Sequence, residues 1–249
     1  MYIKTDGIAL REVAYQDSDK LLTVLTREYG KLTVRARGAR SSRSRSKAAC
    51  QLLAYSEFTL LERGGRYVVT EATAKEMFPE LRNDLELLSL ASYFAQAADV
   101  LSPEGEENPP FVSLLLNALY ALGRLGLPQK LVKAVFELRL MCLAGFAPQL
   151  DRCTDCSSHT PEKPRLSLYG GGVHCTGCAP GAPGKSVLLC GASLAAMRHV
   201  CSAGEKKIFS FTLDESSDER FCTACEEYTL AQLDRGFGTL DYWHSLQNR

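Results

Sequence analysis

Four cysteines arranged in two Cys-x-x-Cys pairs carry the clearest chemical signal in the sequence. The first pair is Cys153 and Cys156, and the second pair, Cys175 and Cys178, follows after eighteen intervening residues. A Cys-x-x-Cys turn places both of its sulfur atoms on one side, so two such turns can present four thiolates to one tetrahedral ion. The spacing therefore predicts a four-cysteine zinc site with one ion per chain.

The number of ligands decides what such a zinc ion would do. Four thiolates fill the coordination sphere and leave no position for a water molecule that zinc could activate. A reactive site would need water in place of one cysteine, with His174 or His159 nearby, and the chain has no HExxH or comparable second ligand set. We therefore expect a structural zinc ion, no catalytic residues, and a function that depends on other parts of the chain.

A third pair, Cys222 and Cys225, leaves two interpretations open. It could be a redox pair of a thiol enzyme, which would need an exposed thiol of low pKa, or part of an additional zinc site. The pair falls within a helical pattern at residues 219–233 and has no proline between its cysteines. This context favours the other interpretation, two buried cysteines on a helix.

Composition is typical of a globular protein with reduced thiols. The chain has 249 residues, 45% of them hydrophobic, which suits one large domain or two to three small ones. Charged residues interrupt the first dozen positions, which therefore lack the apolar stretch that a signal peptide needs. No apolar run approaches the roughly 20 residues of a membrane span. Ten cysteines in such a chain favour metal binding over disulfides, so we expect a cytoplasmic protein without membrane contacts.

A net charge of zero conceals a basic N-terminal segment. Residues 1–80 contain 14 Lys and Arg against 10 Asp and Glu. The window from residue 31 to residue 49 holds no acid and seven basic residues, which are Lys31, Arg35, Arg37, Arg40, Arg43, Arg45 and Lys47. A cluster of this kind needs either a solvated loop or an anionic partner.

The N-terminal pattern predicts a small β-barrel. Short runs rich in leucine, β-branched and aromatic residues occur at 8–13, 21–26, 32–36, 54–61 and 66–70, with glycine-containing hairpin turns at 29–31 and 63–66. Five short strands fit an OB-fold, whose face and loops commonly bind oligonucleotides. Four aromatic residues of this segment could stack on bases, although core or edge-strand packing is favoured for each: Tyr29, Tyr55, Phe58 and Tyr67.

The segment that joins strands three and four, residues 37–47, is here called the basic loop. It alternates cations with small or polar residues and offers nothing to bury. One interpretation is an arm that follows phosphates, because a polyanion relieves the repulsion between cations and releases counterions. The alternative is a solvated loop without a partner. Its position between strands of a predicted OB-fold favours nucleic acid, so the seven basic residues above are the candidate DNA-binding set.

Beyond residue 79 the hydrophobic period changes to about 3.6, which is typical of helices. The pattern predicts helices at 80–101, 109–125, 128–145, 194–201 and 218–233, with an apolar run at 208–213 that fits a strand or a helix. We therefore predict an α+β protein. Its domains are an OB-fold nucleic-acid-binding domain at 1–79 and a mainly helical domain at 80–249, which contains the zinc motif at 150–180.

Several of these stretches together resemble the RecO family of bacterial recombination mediators. They are TDGIALR at 5–11 with DSDK at 17–20, YGKL at 29–32 with RGAR at 37–40, FELRL at 136–140 with LAGFAP at 143–148 before the first cysteine pair, and GGVHCTGC at 171–178. Each motif alone is weak, but the order of barrel, helical segment and zinc motif is specific, and the resemblance covers nearly the full length.

The resemblance implies an N-terminal OB-fold and a mainly helical C-terminal region with a zinc motif. It also implies binding of single- and double-stranded DNA, annealing of complementary strands, and partnership with RecR and the acidic tail of single-strand-binding protein to load RecA in the nucleoid. The zinc ligands of the family correspond to Cys153, Cys156, Cys175 and Cys178, and its basic face is assigned to the stretch from Arg35 to Lys47 because the local charge agrees. An RNA-binding OB protein with the same loop remains the alternative.

Overall fold

The computed structural model describes residues 1–178 and 184–247. The last two positions of the predicted zinc motif at 150–180 lie outside the described residues, as do positions 248 and 249 of the predicted helical domain. The chain folds into two compact units. The barrel unit comprises Met1–Gly126 together with the C-terminal segment from Phe237, and the cysteine unit comprises Leu127–Gly236.

Five strands close the barrel. They are β1 Tyr2–Tyr15, β2 Asp19–Thr26, β3 Lys31–Ala36, β4 Tyr55–Arg63 and β5 Arg66–Glu76. Their order is β1-β2-β3-β5-β4, with β1 pairing antiparallel to β4 and β3 pairing parallel to β5. The predicted OB-fold is therefore confirmed. Strands β1 and β5 are longer than their apolar runs, because backbone pairing with two neighbours extends them beyond the residues that the pattern marks.

The interior of the barrel follows the alternation of the strands. Inward positions such as Leu22, Val24, Val34 and Phe58 are fully or almost fully buried. The turn between β2 and β3 depends on Gly30, whose φ of 62° lies in the left-handed region. A Cβ atom at this position would lie 2.3 Å from a backbone oxygen of Glu106, so the close approach also requires glycine.

The helices of the barrel unit are α1 Pro79–Arg82, α2 Leu85–Leu101, α3 Pro109–Gly123 and α7 Gly238–Gln247. The prediction of one helix at 80–101 is wrong, because Asp84 begins α2 as its N-cap and accepts a hydrogen bond of 3.0 Å from the Leu87 N–H. Helix α7, which the sequence pattern did not predict, packs on α2. There the ring of Phe237, just before α7, meets the ring of Tyr93 edge to face at 5.3 Å.

The cysteine unit combines three long helices with a small sheet. The helices are α4 Gln129–Leu143, α5 Gly191–Ser202 and α6 Glu215–Leu233, and a 3₁₀ turn spans Glu205–Lys207. Strands β6 Arg165–Ser167, β7 Val173–His174 and β8 Ser186–Leu188 form an antiparallel sheet of order β7-β6-β8. The apolar run at 208–213 belongs to neither a strand nor a helix, and it contributes the buried side chain of Ile208.

A buried ion triad joins helices α4 and α6. The Lys133 ammonium lies 2.9 Å from a Glu137 carboxylate oxygen and 2.7 Å from one of Glu226, and Lys133 and Glu137 are almost fully buried. Burial by itself would lower the pKa of Lys133, but the attraction of the two carboxylates outweighs it and holds the pKa above its ordinary value. The lysine is therefore charged, and it neutralises acids that lie inside the unit. No helix in the described ranges is long and apolar enough to cross a membrane.

Candidate metal centre and nucleic-acid interface

The four cysteines of the two Cys-x-x-Cys pairs converge on one point, and they are here called the cysteine cluster. All four sulfur atoms lie within 4.8 Å of one another. The Sγ atoms of Cys156 and Cys175 are 3.8 Å apart. A tetrahedral zinc ion with Zn–S bonds of about 2.3 Å separates its sulfur ligands by about 3.8 Å. The donor set therefore fits one tetrahedral, thiophilic metal ion such as zinc.

Backbone hydrogen bonds hold the two cysteine turns together. The Thr154 N–H donates to the Val173 carbonyl at 3.0 Å, and the Cys175 N–H donates to the Cys153 sulfur at 3.3 Å. A Cβ atom at Gly172 would lie 2.6 Å from the Thr154 side chain, so any larger residue there would force that side chain to move. Strand β7 thus brings the second pair beside the first, and the glycine immediately before it leaves room for Thr154.

Helix α5 supports the first cysteine turn through Arg198. Its Nε atom donates to the Leu150 carbonyl at 2.8 Å, and its Nη2 atom donates to the carbonyls of Asp151 at 3.0 Å and His159 at 3.1 Å. These charge-assisted bonds satisfy three loop carbonyls with one guanidinium group. The segments on both sides of Cys153 and Cys156 are therefore attached to a regular helix.

The electrostatics of the cysteine cluster favour a bound cation. Burial tends to raise the pKa of Cys153, but N–H donors from the backbone at Cys156 and Cys175 outweigh it and lower the pKa to about 6. The pKa of Cys178 is raised to about 12, chiefly by the hydrogen bond of Cys178 with Cys156 and secondly by burial. Thiols this close do not all ionise in the absence of positive charge, and a divalent cation supplies that charge.

Two histidines near the cluster are occupied by other contacts. His174 places Nδ1 2.6 Å from an Asp155 carboxylate oxygen, and His159 places Nδ1 3.2 Å from the Asp151 carbonyl. Among the described residues, the group that could hold a metal consists of the four cysteines. The arrangement gives no support to the reactive alternative, in which water takes the place of one cysteine with His174 or His159 nearby.

The third pair, Cys222 and Cys225, lies on helix α6. Burial raises the pKa of Cys222 to about 12, and burial raises that of the fully buried Cys225 well above its ordinary value. A redox enzyme needs the opposite, an exposed thiol of low pKa. The geometry thus fits two cysteines that pack inside the unit.

The structure divides the seven basic candidates into two groups, and three of them are engaged with the protein itself. Lys31 is 12% exposed and donates to the Asp99 carbonyl at 2.5 Å. Arg35 binds the Asp19 carboxylate through Nε at 2.7 Å and through Nη2 at 2.6 Å. Arg40 donates from Nη1 to two backbone carbonyls at 3.3 Å. These three cations stabilise local structure.

The other four candidates are exposed, as Arg40 is, but within the described residues their side chains form neither an ion pair nor a hydrogen bond. They are Arg37, Arg43, Arg45 and Lys47. The basic loop that carries them is a succession of turns, with the Ser41 N–H donating to the Gly38 carbonyl at 3.0 Å and the Ser44 N–H to the Ser41 carbonyl at 3.1 Å. The expectation that the loop offers nothing to bury is wrong for Ala39, which is 1% exposed. Its small side chain attaches the loop to the barrel core.

Two residues of the hairpin between β1 and β2 were missed by the sequence analysis. Asp19 is buried and accepts hydrogen bonds from the Gly38 N–H at 2.8 Å and from Arg35, and these two contacts, in that order, lower its pKa. Tyr15 is 38% exposed and lies beneath Arg35, whose guanidinium carbon is 5.2 Å from the ring centroid. The only signal for either residue is the DSDK motif, which contains Asp19.

The four aromatic residues singled out from the sequence are buried or partly buried in the barrel. Phe58 is fully buried, Tyr29 and Tyr67 pack against the barrel core, and the Tyr55 hydroxyl donates to Asp6 at 3.4 Å. The preference for core or edge packing agrees with these positions. Tyr15 differs from all four, because it is an exposed residue and a guanidinium group lies over its ring.

Comparison with known proteins gives matches along almost the whole chain. The family model described as Recombination protein O N terminal matches residues 1–78, and the one described as Recombination protein O C terminal matches residues 82–241. Curated proteins named DNA repair protein RecO are similar to the chain. The one from Desulforudis audaxviator is 41% identical over 178 residues, covering 70% of each chain. Those from Symbiobacterium thermophilum and Acetivibrio thermocellus are 31% and 29% identical, each covering 98% of this chain and 97% of the relative.

Proposed function

The chain belongs to the RecO family of DNA repair and recombination proteins, and from this premise we propose the specific activities that it carries out. It binds single- and double-stranded DNA without catalysing a reaction, anneals complementary strands and, with RecR, helps to load RecA onto DNA covered by single-strand-binding protein. Its partners include the acidic tail of single-strand-binding protein, and its place of action is the nucleoid in the bacterial cytoplasm.

One observation carries the proposal for DNA binding. Four exposed cations, Arg37, Arg43, Arg45 and Lys47, occupy a short loop of an OB-fold and form no ion pair within the described residues. Their mutual repulsion is relieved by a polyanion, and counterions released from the phosphates add a favourable, salt-dependent term. We propose that these four residues make the main phosphate contacts, while Lys31, Arg35 and Arg40 add positive charge and hold the surface in place through their contacts within the protein.

Annealing follows from the same electrostatics. Two complementary strands repel each other through their phosphates before their bases can pair. A protein surface that neutralises phosphates of both strands lowers this repulsion and keeps the strands close. Such a surface needs charge rather than an active site, and the OB-fold supplies one without a catalytic group.

We propose that the cysteine cluster holds one structural zinc ion. Cys153, Cys156, Cys175 and Cys178 would be its ligands, and the ion would supply the positive charge that lets their thiolates coexist. The four thiolates close the coordination sphere, so the role of these residues is to join the first cysteine turn to strand β7. That role is consistent with the backbone bonds that already align the two turns.

We also propose that the domains meet near residue 79, with the OB domain at 1–79 and the helical domain at 80–249. Support comes from the family models, which match 1–78 and 82–241. The compact units divide the chain elsewhere, since helices α1 to α3 and α7 belong to the barrel unit. The boundary between the two family models and the boundary between the two compact units therefore fall at different residues.

The experiment that tests the proposed function is a strand-annealing assay on complementary fluorescent oligonucleotides, bare or coated with single-strand-binding protein. The expected result is faster annealing on both substrates, binding that weakens steeply with salt, and RecA loading that requires RecR. An RNA oligonucleotide of the same sequence, bound more tightly than the DNA, would support the alternative of an RNA-binding protein. Absence of binding at low salt would contradict the proposal.

A further inference from the structure

Strands β1 and β2 form a hairpin whose outer part presents its side chains to solvent. The pairing of β1 with β4 ends at Ile8 and Tyr55, whereas the pairing of β1 with β2 continues to Tyr15 and Asp19. Residues 11–18 are all exposed. The hairpin tip, residues 15–19, is the connection between the first two strands, which is one of the loops that OB-folds use for oligonucleotides.

The aromatic ring at this tip, that of Tyr15, packs against the guanidinium group of Arg35. Arg35 places its guanidinium carbon 5.2 Å from the ring centroid of Tyr15, and the same guanidinium is fixed by Asp19 at 2.6 Å and by the side chain of Gln16. Tyr15 as a whole nevertheless remains 38% exposed. An aromatic ring that is fixed by a cation and still open to solvent can accept a second flat group at low cost in side-chain entropy.

Hydrogen bonds connect the hairpin tip to the basic loop. The backbone N–H of Arg40 donates to the Ser18 carbonyl at 2.9 Å, and its side chain donates to the carbonyls of Gln16 and Asp17. The Gly38 N–H donates to Asp19 at 2.8 Å. Tyr15 and the exposed cations of the basic loop therefore belong to one continuous surface of the barrel unit.

We infer that the Tyr15 ring is a stacking platform for a nucleobase of single-stranded DNA whose phosphates contact the basic loop, an inference that rests on the proposed DNA binding. Bases in a duplex are already stacked on one another, whereas those of a single strand are free to stack on a protein ring. Tyr15 thus gives this surface a preference for single strands, which charge alone does not provide. In this arrangement Arg35 positions the ring and is not itself a phosphate ligand.

The test compares three variants of the full chain with the unsubstituted protein. Tyr15→Ala removes the ring, Tyr15→Phe keeps it, and Tyr2→Ala is the matched control, since Tyr2 is 68% exposed and lies at the opposite end of β1. Affinity is measured for a fluorescent single strand, for its duplex, and for a single strand of the same length with abasic sites. The salt concentration is the same throughout.

The expected result is a loss of roughly 5- to 150-fold in single-strand affinity for Tyr15→Ala. Duplex affinity should be unchanged, Tyr15→Phe and Tyr2→Ala should bind as the unsubstituted protein does, and on the abasic strand the difference between Tyr15→Ala and the unsubstituted protein should disappear. A Tyr15→Ala protein with unchanged single-strand affinity overturns the inference.

An equal loss on all three substrates also overturns it, because the ring would then only support the loop. If the unsubstituted protein binds none of the three, the proposed DNA binding itself fails. Failure of the stacking inference alone is distinguishable, because the unsubstituted protein would still bind DNA and its affinity would still fall with salt.

Discussion

The Oδ1 atom of Asp19 accepts a hydrogen bond of 2.8 Å from the backbone N–H of Gly38, the second residue of the basic loop. The other carboxylate oxygen of Asp19 binds Arg35. One acidic side chain thus fixes the start of the loop and the cation that covers Tyr15. Asp19 thus orients the basic surface around it. The expected effect of removing Asp19 is therefore opposite to the one that its charge alone would predict.

Replacing Asp19 by alanine removes one negative charge from the basic surface, so electrostatics alone predicts tighter DNA binding. We expect weaker binding, because the loop and Arg35 lose their common anchor and the cations are no longer presented together. Fluorescence anisotropy with a single-stranded oligonucleotide at two salt concentrations measures the effect. Tighter binding than that of the unsubstituted protein would show that Asp19 acts only through its charge.

Asp19 also makes a predictable contribution to the dependence of stability on pH. Its pKa is lowered in the folded protein, chiefly by the Gly38 N–H and then by Arg35. A group of this kind stabilises the fold fully above its unfolded pKa, near 4, and its contribution is lost as the pH falls through the lower, folded value. The denaturation midpoints of Asp19→Ala and unsubstituted protein should therefore converge only below about pH 4.

Replacing Arg43 and Arg45 together by alanine should weaken DNA binding and reduce its dependence on salt. If each arginine contacts one phosphate, the slope of log affinity against log salt should decrease by about 0.7 per residue on a single strand. The matched control is the double replacement of Lys206 and Lys207 by alanine, which removes the same charge from two exposed lysines of the cysteine unit. Equal effects of the two double variants would mean that net charge, and not the loop, governs binding.

Replacing Cys153 or Cys175 by serine should abolish binding of one zinc ion and lower the stability of the protein. Three thiolates and a hydroxyl form a much poorer zinc site, and the binding energy of a structural ion is part of the folding energy. Metal content by mass spectrometry under native conditions and thermal unfolding measure the two effects. Cys222→Ser is the control and should retain the zinc ion. If Cys153→Ser lost the metal and kept its stability, the zinc ion would have no structural role.

Replacing Lys133 by methionine should destabilise the cysteine unit by about 3–5 kcal/mol at neutral pH, because it removes the cation that lies between two carboxylates. Urea denaturation measures the effect, and Lys130→Met, at an exposed position of the same helix, is the control. In the variant the pKa of Glu137 should rise, so the stability deficit should shrink as the pH falls toward 5. A deficit independent of pH would indicate that the lysine acts through packing.

The features that could be predicted from the sequence are those that short-range patterns encode. The Cys-x-x-Cys spacing identified the four cysteines that converge, because each pair is constrained by its own turn. Short runs rich in leucine, β-branched and aromatic residues, separated by glycine-containing turns, identified all five barrel strands. In both cases the residues that decide the structure are neighbours in the chain.

The features that could not be predicted depend on residues far apart in the sequence. Lys31 belonged to the basic candidates, yet its ammonium binds Asp99, 68 positions later. Cys142 and Cys201 had no paired spacing, yet their sulfur atoms lie 3.4 Å apart between α4 and α5. Strands β6 to β8 have two or three residues each, too few for any period to be recognised. Only the folded chain brings these partners together.

The contact between Phe237 and Tyr93 has a consequence for the order in which the chain acquires its structure during translation. Tyr93 leaves the ribosome before every residue of the cysteine unit, and Phe237 leaves after them. The cysteine unit is continuous in sequence and can complete its packing while synthesis continues. The barrel unit begins first and finishes later, so a nascent chain that stalls before Phe237 leaves uncovered the part of α2 on which Phe237 and α7 pack.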